Sequence, residues 1–144
     1  MMGRNERASE KTSRALGFAT VVLGAIVVLG VLTFAGPCVH DDGSTSTCAT
    51  AGMVVLWGGL GVVLFGLLAT VAVSRGHARG VSIVAFAFAA VAALLVVLAP
   101  GTLFPLCMMA TMRCQAVMRP FAHIAGVLAT AASAAGLVAE VRGR

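Results

Sequence analysis

The sequence predicts an all-α integral membrane fold, a four-helix bundle with both termini cytoplasmic, and three observations predict it. Of 144 residues, 60% are hydrophobic and only 10% are charged, with a mean hydropathy of +1.03; a water-soluble domain carries about a quarter charged residues. Four apolar runs are each long enough to cross a hydrocarbon layer about 30 Å thick, which takes about 20 residues of helix. The charged residues gather in the short segments between those runs.

Taken in order, residues 1–14 form a polar, cytoplasmic N-terminal tail, and residues 15–144 form the membrane domain. Its spans run over about 15–36, 49–73, 81–99 and 121–141. The first run is longer than the 7 to 15 residues of a signal-peptide core, so it reads as a retained span. Lipoprotein-type processing before Cys38 is disfavoured by Pro37, where a small residue is wanted.

Orientation follows from the cations. Arg4, Arg7, Lys11 and Arg14 precede the first span, Arg75 and Arg79 separate the second and third, and Arg142 and Arg144 follow the fourth. The opposite side holds only Arg113 and Arg119, while the first connection carries Asp41 and Asp42 with no Lys or Arg. Lys and Arg favour the cytoplasmic side, so both ends of the chain are expected on the cytoplasmic side of the cell membrane, and the Arg-rich, Ala-, Val- and Gly-rich composition suggests a bacterial source. The formal charge of +5 then reads as a topology signal and an attraction for anionic lipid; it is not gathered on a polar face as in a nucleic-acid binder.

Small residues recur along the spans: Gly17, Gly24 and Gly30 in the first, Gly52, Gly58, Gly59, Gly61 and Gly66 in the second, and an Ala/Gly run in the fourth. In lipid, helices associate through close backbone approach, and small residues allow it. Packing within the bundle accounts for them most simply; docking onto a second subunit is the alternative.

Several activities are disfavoured. The spans hold almost no ionisable residues to relay protons: His123 and Glu140 lie at opposite ends of the fourth span, about 25 Å of helix apart. The chain has no Gly-x-x-x-x-Gly-Lys-Ser/Thr loop for nucleotide phosphates. An autonomous energised transporter is therefore not expected, no catalytic residue is nominated, and an enzyme is the less favoured class.

All four cysteines fall in the two connections assigned outside. Cys38 and Cys48 bracket the first, which contains His40, Asp41 and Asp42; Cys107 and Cys114 lie in the third, within Cys107-Met108-Met109-Ala110-Thr111-Met112-Arg113-Cys114. Together with Pro37-Cys38-x-His40, with Asp42-Gly43 followed by Thr47-Cys48, and with Arg119-Pro120, this string resembles a domain-of-unknown-function family of small prokaryotic four-span membrane proteins, family 4418. The resemblance covers essentially the whole membrane part. It implies an integral membrane protein without assigning a reaction.

Three chemistries compete for the cluster. An oxidising exterior converts thiols to disulfides, and four cysteines allow three connectivities. If Pro105 opens a short amphipathic or re-entrant helix, Cys107 and Cys114 lie about 10.5 Å apart along its axis. That exceeds the roughly 7 Å limit for bridged α-carbons and favours cross-pairing between the two connections, with a Cys38–Cys48 bridge still open. Alternatively, Cys38, His40, Cys48, Cys107, Met108, Met112 and Cys114 form a soft donor set of the kind that selects cuprous copper. In the third reading one pair is an exchangeable dithiol, for which the usual Cys-x-x-Cys spacing is missing. His77 reads as a solvated loop residue and His123 as a hydrogen-bonded helix residue. The favoured function is a structural or accessory membrane subunit with a disulfide-stapled outer cap, in a larger membrane complex such as a transporter; copper binding or thiol redox is the alternative.

Overall fold

A computed structural model describes residues 2–36, 47–76, 79–106, 111 and 114–143. Among these, four α-helices follow one another with no strand: α1 (Met2–Thr33), α2 (Thr47–Ser74), α3 (Arg79–Leu98) and α4 (Arg119–Arg142), the last preceded by a π-helical turn over Cys114–Met118. All four are long and apolar enough to cross a membrane. The protein is a multi-pass membrane protein of the four-helix class.

The helices form a ring in chain order. Each packs on its two neighbours, α4 closes on α1, and the diagonal pairs barely touch. Helix α1 begins at Met2, so most of the polar N-terminal segment continues the first span as one helix, and α1 ends at Thr33, short of Gly36. Helices α2, α3 and α4 each begin two residues before the apolar runs at 49–73, 81–99 and 121–141 and end within one residue of them.

Size decides which side of each helix faces inward. In α2 the buried positions are Cys48, Ala51, Gly52, Val55, Gly58, Gly59, Val62, Gly66, Ala69 and Ala72, a three-and-four spacing of small side chains. Met53, Trp57, Leu60, Leu64, Leu67 and Leu68 lie exposed on the other faces. Only a third of each span's most apolar window is buried within the bundle. A ring of large apolar side chains facing outward is stable only against lipid, which replaces water as the solvent for that surface.

Helices α1 and α2 interlock through glycines on both sides. A Cβ at Gly24 would stand 2.9 Å from the Val63 backbone nitrogen, one at Gly59 would stand 3.0 Å from Val27 Cγ1, and one at Gly66 would stand 3.0 Å from Val21 Cγ2. Gly58 receives Val96 of α3, and Gly126 of α4 receives Val97. These glycines are spent on packing within the chain. Phe86, fully buried, fills the space over Gly136, and Phe34 meets Phe121 edge-on at 5.1 Å, tying the end of α1 to the start of α4.

The α3–α4 connection opens with a tight turn. Leu103 N–H donates to the Leu98 carbonyl, Phe104 N–H to Ala99, and Gly101 N–H to Phe104. Gly101 sits at φ 91° with the Arg119 guanidinium lying over it. Only glycine takes that backbone conformation without strain, so Gly101→Ala is expected to cost about 1–2 kcal/mol, seen as a lower unfolding midpoint in detergent. Pro120 lies in the first turn of α4. A proline ring clashes with the carbonyl four residues before it in a regular α-helix, and the wider π-helical turn beginning at Cys114 precedes it.

Candidate functional site

The two ends of the bundle carry different chemistry. At the end opposite the termini, Cys48 stands in the first turn of α2 and Cys114 opens the π-helical turn. Both are fully buried. The local packing explains their convergence: Ala51 and Val55 of α2 share one apolar cluster with Ala99, Met118 and Ala122, so the start of α2 and the run into α4 press on the same core. The two cysteines lie near one another with no disulfide joining them.

The remaining residues nominated at that end lie outside the described residues: Cys38, His40, Asp41 and Asp42 of the first connection, and Cys107, Met108 and Met112 of the third. Of the soft donor set, only Cys48 and Cys114 have a described position. His123 Nδ1–H donates to the Arg119 carbonyl of its own helix at 2.8 Å, so that nitrogen is occupied in backbone bonding. His77 also falls outside the described residues.

At the end carrying both termini, the four helices surround a cavity of about 570 Å³. Every helix contributes to it: Ser9 and Glu10 of α1, Ala72 to Ser74 of α2 with Arg75 and Gly76 just beyond, Arg79 and Ser82 of α3, and Glu140 of α4 with Gly143. Glu140 is 9% exposed and Ser82 is 2% exposed, whereas Glu10, Arg75 and Arg79 are exposed at the rim. Ser82 Oγ lies 3.0 Å from Glu140 Oε2 and 2.9 Å from the Arg79 carbonyl oxygen. A hydroxyl has one proton, so it serves one of these acceptors at a time.

The wall beneath is also polar. Ser9 Oγ–H donates to the Ala139 carbonyl at 3.4 Å. One turn further along α1, Ser13 is fully buried, and its hydroxyl has no hydrogen-bond partner among the described residues. From the sequence, Glu140 stands out only as a residue too far from His123 to relay a proton with it, and Ser9, Ser13 and Ser82 do not stand out at all. A usable signal existed: Ser9, Ser13, Gly17 and Thr20 recur at helical spacing along α1, and Glu140 is the one acidic residue in the fourth span. An ionisable residue in a span is by default a functional hypothesis.

The sequence model of a family described as a domain of unknown function (DUF4418) matches residues 20–139 of the chain. No curated protein and no solved structure matches it.

Proposed function

The chain belongs to the DUF4418 family, whose function is unknown, and we propose that it is a structural or accessory subunit of a cell membrane whose outer end is capped by disulfides, with both termini cytoplasmic. One observation carries the reading. Cys48 and Cys114 come from the ends of two different connections and are buried close together. That juxtaposition supports cross-pairing of the first connection with the third: Cys48 with Cys114, and Cys38 with Cys107. Such bridges would tie the first connection to the third at this end of the bundle, in a compartment that favours disulfides. The excess of Lys and Arg around the termini supports the orientation. The scarcity of ionisable groups in the spans supports a role beside an energised partner such as a transporter.

The test counts thiols on intact cells by the mass added with a maleimide polymer, before and after reduction. The expected result is no modification before reduction and four sites after it, with a Cys48–Cys114 linked fragment in the unreduced digest. Direct modification from outside overturns the cap. In that case stoichiometric cuprous copper on the reduced protein, lost in a Cys107→Ser, Cys114→Ser variant, would identify the soft-metal reading.

A further inference from the structure

We propose that the cavity at the terminal end of the bundle binds a phosphoethanolamine group, the head of an aminophospholipid, with its ammonium on Glu140 and Ser82 and its phosphate on Arg75 and Arg79.

The argument starts from Glu140. A buried charge is ordinarily matched by an opposite charge, because its desolvation is otherwise uncompensated. Among the described residues no cation lies within ion-pairing distance of this carboxylate, and the protein offers it one hydroxyl proton, which the Arg79 carbonyl also attracts. A carboxylate accepts about four hydrogen bonds, so most of its capacity faces the cavity it lines. A primary ammonium, with three N–H donors and a positive charge, satisfies that demand. Ser13, buried one turn from the cavity-lining Ser9 with no hydrogen-bond partner for its hydroxyl among the described residues, adds an unmatched polar group at this end of the core.

The rim supplies the opposite charge. Arg75 and Arg79 line the same cavity and are exposed, and guanidinium groups bind phosphate oxygens through paired N–H donors. With Glu10 and Glu140 against Arg75 and Arg79, the lining is balanced in charge, which suits a zwitterion better than a simple anion. At about 570 Å³ the cavity falls within the usual range for small-molecule sites. It is lined by residues at the ends of the four helices, the part of a spanning helix that meets lipid headgroups. Val71, Val81, Val138 and Val141, exposed close by in sequence, offer an apolar outer surface for acyl chains.

The full chain, purified in detergent, is tested by native mass spectrometry and by its unfolding midpoint with three phospholipids of identical acyl chains. Ethanolamine lipid should bind and raise the midpoint. Choline lipid, whose nitrogen carries no N–H, and glycerol lipid, which has no cation, should bind more weakly. Glu140→Gln should weaken ethanolamine lipid on the order of tenfold or more and remove its advantage over choline lipid. Arg79→Gln should weaken ethanolamine and glycerol lipids alike. Free phosphoethanolamine that reproduces the full shift would keep the recognition chemistry and make the ligand a soluble one. Equal binding of ethanolamine and choline lipids by the unaltered chain overturns the proposal, as does a Glu140→Gln protein that keeps the preference. Should Glu140→Gln fail to fold, Ser82→Ala and the comparison on the unaltered chain decide.

Discussion

Replacing Gly24 by leucine is expected to abolish the native bundle or lower its stability by about 3 kcal/mol or more, the upper end of the usual cost of overpacking. The cause is the wall it would meet. A Cβ alone at this position would stand 2.9 Å from Val62 Cγ1, from Val63 Cγ2 and from the Val63 backbone nitrogen. A methyl group can rotate aside, but a backbone nitrogen moves only with its helix. Because Gly59 and Gly66 of α2 receive side chains of α1 along the same seam, separating the helices at Gly24 loosens their contacts as well. Gly80→Ala is the control. Nothing lies within 4 Å of a Cβ placed at Gly80, so alanine there should leave the midpoint unchanged or raise it by about 0.5–1 kcal/mol, the helical advantage of alanine over glycine. Both are read by helical circular dichroism during thermal unfolding in detergent. A Gly24→Leu protein as stable as the parent would refute the α1–α2 register.

The second large effect concerns the cap. Under oxidising conditions, Cys48→Ala and Cys114→Ala are each expected to cost about 2–5 kcal/mol, the range for loss of a native disulfide from a small domain. The double variant should be no less stable than the worse single one, because each substitution already breaks the same bridge. Reduced unaltered protein should match the variants more closely than oxidised protein does. Two single losses that simply add would sink the Cys48–Cys114 pairing. Stability indifferent to both substitutions and to reduction would remove the cap from the account of this fold.

Much of the architecture was legible in advance, and the reason is solvent. A helix in hydrocarbon satisfies its backbone hydrogen bonds within itself, so length and hydropathy suffice to find α1 to α4. The turn at Gly101 and the π-helical turn ahead of Pro120 were not visible in that way. Both depend on how α3 and α4 meet, as does the seat of Arg119 over Gly101. At the cysteine end, spacing could argue for cross-pairing only on the condition of a helix after Pro105. The nearness of Cys48 and Cys114 comes instead from the apolar cluster that draws Ala51, Val55, Met118 and Ala122 together.

The amino-acid sequence alone determined that this is a membrane protein of four apolar helices, and that most of its cations gather away from its cysteines. Those properties are sums over neighbouring residues. The tertiary structure alone decided which face of each helix turns inward, because in lipid both faces are apolar and hydropathy loses its period; residue size marks the interior instead, as Gly58, Val62 and Ala69 against Leu60, Leu64 and Leu68 show. It also decided that Ser9, Arg75, Arg79, Ser82 and Glu140, scattered over the whole chain, line one cavity. Their meeting depends on the antiparallel ring of four helices, a long-range arrangement with no local signature.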